Sequence, residues 1–176
     1  MNSRHYFLAR IVSSTVLIAL TGCGKSASQS AAEMAVAAAT GGKVQVSQSG
    51  DHTEMTVKDD KGNVSKINAG GNIALPAGFP SDVHLPSSYT IKTAVTLPQG
   101  VILELHTPAT MQSIYADYDS TMKSGGWTEA MAMQSSDKES VLTFQKDKRS
   151  VIVSIVASSD AGGGADVHLQ STSEQK

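Results

Sequence analysis

The chain has 176 residues, enough for one domain, and carries 16 acids against 14 bases for a formal net charge of −2. That mild acidity without a clustered basic face excludes a nucleic-acid partner. A single cysteine excludes an internal disulfide and a multi-thiolate metal site.

Residues 1–10 contain Arg4 and Arg10 and no acid, residues 11–20 are apolar or hydroxylated, and small residues follow, which is the order of a secretory signal. Ten residues rise only about 15 Å as a helix, half of a roughly 30 Å bilayer core, so a permanent span is not expected. The run ends in Leu20-Thr21-Gly22-Cys23. This resembles the lipobox of bacterial lipoproteins. The resemblance implies cleavage between Gly22 and Cys23, diacylglycerol on the Cys23 sulfur, and an N-acyl chain of the palmitate class on the new terminus. It places the protein in the cell envelope, membrane-anchored through Cys23. Gly24 stands where an inner-membrane retention signal usually has aspartate, so in a two-membraned organism the anchor resembles the outer-membrane class, facing the periplasm. Beyond the signal, 16 acids against 12 bases leave a formal charge of −4.

Residues 23–42 are rich in alanine and serine and read as a lipidated tether, although 31–39 has the composition of a short helix. As a flexible coil such a tether spans about 25 Å, letting the domain float clear of the headgroups. The expected domain is 43–171, followed by a flexible tail at 172–176. Its first section, 43–68, reads as a thinly apolar hairpin. Val44 and Val46 alternate with polar neighbours, as do Met55 and Val57, and Asp59 to Asn63 supply a turn before Val64 and Ile67. So few apolar groups suggest an appendage on the main sheet.

Residues 73–86 form a proline-rich strap, held down by Phe79, Val83 and Leu85. Leu75-Pro76, Phe79-Pro80 and Asp82-Val83, with Gly126-Trp127 further on, resemble exported bacterial lipoprotein domains with an LPxxFPxDV lead-in and a Gly-Trp after the helix. That resemblance carries no known activity.

In the main section, 87–171, Tyr89, Ile91, Thr93, Val95 and Leu97 share one face of a strand, and Thr90, Lys92, Ala94 and Thr96 the other. Val101, Leu103 and Leu105 repeat the pattern after a Pro98-Gln99-Gly100 turn. Thr107 reads as an N-cap with Pro108 at the first helical position. Met111, Ile114, Tyr115, Tyr118 and Met122 form a helical stripe that ends at Gly125-Gly126. Strands follow at 127–134, 141–146, 149–157 and 165–170. The predicted class is α+β, an antiparallel sheet with one helix packed on one face, preceded by a small β-hairpin.

Chemistry-bearing residues are sparse. His84, His106 and His168 accompany Glu104, Asp117 and Asp119, without HxH, HExxH or CxxC spacing for zinc. No Gly-x-Ser-x-Gly elbow marks a nucleophile, and Gly162-Gly163-Gly164 reads as a flexible loop. Met111, Met122, Met131 and Met133 could bind Cu(I) through their thioethers, but their positions read as core. Lys146-Asp147-Lys148-Arg149 reads as a solvated turn, and Trp127 as a core anchor.

No catalytic residue and no cofactor beyond the covalent lipid is expected. The leading expectation is an envelope lipoprotein that acts as a binding or adaptor module, partnered by another envelope protein or by the wall polymer. The alternative is a periplasmic carrier of a small apolar ligand or Cu(I) between helix and sheet, with an envelope hydrolase third.

Overall fold

The computed structural model describes residues 27–136 and 138–173. The signal sequence, the Gly22–Cys23 cleavage site, the lipidation of Cys23 and the last three residues of the tail lie outside the described residues. Among the described residues two helices and nine strands follow in chain order as α1 (Ala27–Ala39), β1 (Val44–Ser49), β2 (His52–Lys58), β3 (Val64–Gly70), β4 (Thr90–Leu97), β5 (Gly100–Thr107), α2 (Met111–Ser124), β6 (Thr128–Gln134), β7 (Glu139–Lys146), β8 (Arg149–Ala157) and β9 (Ala165–Ser173). All the strands belong to one antiparallel sheet, ordered β1-β2-β3-β4-β5-β9-β8-β7-β6. No described helix is long and apolar enough to cross a membrane.

The hairpin expected as an appendage is part of this sheet, because β3 continues the pairing onto β4 with Ile67 opposite Val95 and Asn68 opposite Ala94. Backbone ladders hold it there where side-chain burial alone would not. At the sheet's middle β5 pairs with β9, so α2 carries the chain from the centre to the far edge and β6 to β9 return as a meander.

The core lies between α2 and one face of β5 to β9. Met111, Ile114, Tyr118 and Met122, spaced three or four residues apart, bury one stripe of the helix. Facing them are Leu103, Leu105, Leu142, Phe144, Val151, Val153, Ile155, Val167 and Leu169, all buried. The strict alternation in β5, β8 and β9 puts these residues on one side because successive side chains point to opposite faces.

Two bulges break the alternation expected for the other strands. In β4 the register jumps between Ile91 and Thr93, leaving Lys92 as the extra residue. Ile91 and Ala94 therefore both face the core, while Thr93 and Val95 turn to the opposite face. In β6 the jump falls between Glu129 and Met131. Met131 and Met133, expected in the core, stand instead on the face away from α2, 48% and 49% exposed.

The helix begins later than Thr107. That residue is buried at the end of β5, opposite Ala165, and its hydroxyl accepts the Ala109 N–H at 3.3 Å. Thr110 is the N-cap, accepting from Ser113 N at 3.3 Å. The other end closes as expected at the glycines. Trp127 N–H bonds Met122 O at 3.1 Å and Gly126 N–H bonds Lys123 O at 3.0 Å, with Gly126 at φ 81°, a Schellman closure that needs a left-handed residue.

Where the sequence suggests a tether, α1 docks along β1. The Val44 N–H donates to Thr40 Oγ1 at 3.1 Å and the Gln48 N–H to Glu33 Oε1 at 2.7 Å. Alanine gives the segment its helix propensity, and capping the outward amides of an edge strand gives it a reason to dock. β9 likewise runs through Ser173, past the 171 boundary, with Ser173 N donating to Gln99 O at 2.9 Å.

Candidate functional site

The strap crosses α2 and is held from both sides. Val83 is buried, with Ile73, Phe79 and Leu85 packed against the core. Trp127 Nε1 donates to the Asp82 carbonyl at 3.1 Å, and His84 N–H approaches the Met122 sulfur at 3.5 Å. The Asp82 carboxylate takes both terminal nitrogens of Arg149 and also Lys146 Nζ at 3.2 Å. Arg149 lies over the Trp127 ring, 4.9 Å from its centre, and Lys146 lies 5.8 Å away. Half of the basic cluster read as a solvated turn is therefore a clamp. The tight Asp147-Lys148 turn, with Asp147 at φ 54°, places the two cations side by side. Arg149 holds the Asp82 carboxyl far below the usual carboxylate range, with burial opposing it and Lys146 assisting.

Beyond the clamp the strap's last residues and the start of α2 wall a cleft of about 610 Å³. Leu85, Pro108, Ala109 and Ile114 supply apolar surface, and His84, Asp117 and Ser113 are among the polar groups at its rim. The prolines leave the backbone extended on the strap side, and the N-cap turn at Thr110 opens the helix side. His84 Nε2 lies 2.7 Å from Asp117 Oδ2, whose other oxygen accepts from Thr121 Oγ1 at 3.3 Å. The His84 ring meets Tyr118 edge-on at 5.2 Å. Tyr118 is wholly buried, and its hydroxyl has no partner among the described residues. Burial and the nearby Asp117 charge push its ionisation well above the ordinary phenol range.

The other sequence candidates are dispersed. His106 Nδ1 pairs with Asp166 Oδ1 at 2.8 Å on the face away from α2, where Glu104 stands opposite His168 across β5 and β9. Glu104, Asp166 and His168 share a shallow depression of about 230 Å³ with Lys92 and Ser154. Asp119 is tied up by Lys123 at 2.5 Å, which also reaches Glu129 at 2.8 Å and joins the end of α2 to β6. The Lys123 ammonium keeps the Asp119 carboxyl low. Among the described residues no group of three or more His, Cys, Asp or Glu is arranged to hold a metal. The methionines divide likewise. Met111 and Met122 are buried under α2, whereas Met131 and Met133 lie across the sheet from them.

The cleft residues Ser113 and Asp117 flank the Ile114 and Tyr118 of the buried stripe on α2, and only the strap's path over that helix brings Leu85 and His84 to them. No pattern local to the chain marks this wall, because it forms only where two separate elements meet. A family described as START domain-like matches residues 88–166. Neither a search of curated proteins nor a search of solved structures found a match. The matched segment runs from the end of the strap through α2 to the start of β9, and so includes the helix side of the cleft.

Proposed function

We propose that this protein is a cell-envelope lipoprotein that works by binding rather than catalysis, carrying a small amphipathic ligand in the cleft between strap and helix. The observation that carries the reading is the cleft itself. Its roughly 610 Å³ suits a small molecule, and it joins apolar surface from Leu85, Pro108, Ala109 and Ile114 to the polar side chains of His84, Ser113 and Asp117, the two kinds of contact that an amphipathic ligand needs. START-like domains commonly bind hydrophobic ligands, which supports an apolar body for this one. The space between α2 and the sheet is filled by Tyr118, Met122, Leu103, Phe144 and Leu169, so the ligand belongs at its mouth. The scattered thioethers leave Cu(I) without a converging set.

His84 and Asp117 orient one another at the rim and would meet the ligand's polar end. Lipid at Cys23 would anchor the molecule lastingly, since several acyl chains act together. With α1 starting at Ala27, the intervening chain reaches only roughly 14 Å, which would keep the domain beside the membrane from which an apolar ligand comes. An adaptor role would use another surface, the bare β6 edge.

Titration with a fluorescent fatty acid tests the carrier reading. The full-length protein should enhance the probe's emission saturably. Ser113→Trp, at an exposed position on the cleft wall, should abolish the enhancement without changing the melting temperature. Equal enhancement by the Trp variant would remove the ligand from this cleft.

A further inference from the structure

Strand directions alternate across the sheet, which makes its two ends distinct. Ser49, Gly70, Thr90, Thr107 and Ala165 lie at one end, linked through the pairings of His52 with Ser49 and Gly70, of Thr90 with His106, and of Thr107 with Ala165. α2 starts at this end, and the cleft lies there too, with Ser87, Ser88, Pro108 and Ala109 in its lining.

α1 enters from the same end. It runs antiparallel to β1, because Glu33 meets Gln48 and, further along the helix, Thr40 meets Val44. Counting back from Glu33, the backbone to Ala27 rises about 9 Å, which carries the first turn past Ser49 and the end of β1. Cys23 precedes Ala27 by four residues, a reach of roughly 14 Å. Across the sheet, β1 and β4 are three strand spacings apart, also about 14 Å. The expected lipid site and the cleft therefore belong to one end of the molecule. Its connections are small and hydroxylated, as in Ser87-Ser88, Ser135-Ser136 and Ser158-Ser159, whereas the turns Lys58 to Lys61 and Lys146 to Arg149 put their charges at the opposite end. Asp51 and Asp160 also stand at the cleft end, and moving a charge into hydrocarbon is costly, so contact there stops at the headgroups.

We infer that the cleft end of the sheet is a membrane-facing surface. The short tether holds the connections around Ser88 and Ser159 against the headgroups of the anchoring leaflet, and the cleft takes its ligand, a lipid of that leaflet, directly from it. The inference rests on the lipid-anchored carrier reading and adds the direction in which the carrier faces.

Energy transfer from single dyes to a headgroup-labelled acceptor tests this, using the lipidated full-length protein in vesicles of phosphatidylethanolamine and phosphatidylglycerol. With the Cys23 sulfur carrying lipid, an introduced cysteine is the one free thiol. Ser88→Cys and Ser159→Cys mark the cleft end and Lys61→Cys and Lys148→Cys the other, all at exposed positions. Strands of nine residues separate the two ends by about 30 Å, so transfer should be at least about twofold greater from Ser88→Cys and Ser159→Cys. Inserting a Gly-Ser coil of about 20 residues after Gly24 adds roughly 25 Å of reach and should level the four values. Equal transfer from both ends of the protein with its native tether, or greater transfer from Lys61→Cys and Lys148→Cys, would overturn the inference. So would a preference that survives the insertion, since the tether would not be its cause. A protein that does not float with the vesicles lacks the anchor, and the inference falls with it. One that holds the expected orientation but does not enhance the fatty-acid probe would retain the membrane-facing surface and remove the carrier reading instead.

Discussion

Arg149 grips Asp82 with both ends of its guanidinium, Nη1 to Oδ1 at 2.7 Å and Nη2 to Oδ2 at 2.8 Å, across 67 residues of chain. The pair fastens the strap to the start of β8. A fork-to-fork geometry is the strongest form of such a pair, although partial exposure of both groups limits its worth to about 1 kcal/mol.

Because the folded Asp82 carboxyl ionises more readily than in the unfolded chain, its contribution is complete above the ordinary carboxylate value near pH 4 and fades as pH falls toward the folded value. Asp82→Asn should therefore cost about 1 kcal/mol in urea unfolding at pH 7, with the gap to the wild type narrowing near pH 2. A gap independent of pH would mean that the charge is not what fastens the strap.

Tyr118 buries a phenol whose oxygen has no partner among the described residues. Leaving such a group unmet costs free energy, so Tyr118→Phe should stabilise the protein by about 1 kcal/mol. Chemical denaturation decides it, and a loss of stability would show that the hydroxyl is hydrogen-bonded.

Gly164, read as part of a flexible loop, sits at φ +92°, and a Cβ built on it would lie 2.1 Å from the Thr107 carbonyl oxygen. Its own carbonyl accepts from Ser158 N at 3.0 Å, closing the β8–β9 turn. Gly164→Ala combines backbone strain with a backbone clash and should cost at least about 2 kcal/mol. Gly162→Ala, with open space around it, serves as the control and should melt close to the wild type.

Replacing Cys23 by serine tests the anchor. The variant should take up no labelled palmitate, should not be cut after Gly22 by the lipoprotein route, and should be lost from the membrane fraction in which the lipidated protein is expected. Sedimentation with membranes after normal cleavage would refute lipid attachment at this sulfur.

Much of the secondary structure was legible because it depends on neighbours along the chain. Alternation in Val101 to Leu105 and in Val151 to Ile155 marks strands with one buried face, and the Met111-to-Met122 stripe with its closing glycines marks α2. The bulges at Lys92 and Ala130 were not legible, since an extra residue makes sense only against a partner strand. For that reason Met131 and Met133 read as core and stand exposed. Thr107 and Thr110 are both plausible caps by type, and the pairing of Thr107 with Ala165 decides between them. The alanine-rich segment before Lys43 could be read as helix or tether, and contact with β1 makes it a helix.

The sequence by itself determined the strands from Gly100 onward, the single helix on the core, and the lipobox motif from which an anchor is expected. Only the tertiary structure decided that β5 meets β9, that the early hairpin extends the same sheet, that the strap is clamped by Arg149, and that a cleft opens beside Ile114. Periodicity records which face of an element is buried, whereas the pairing of edges and the meeting of distant charges depend on how separate elements come together in space.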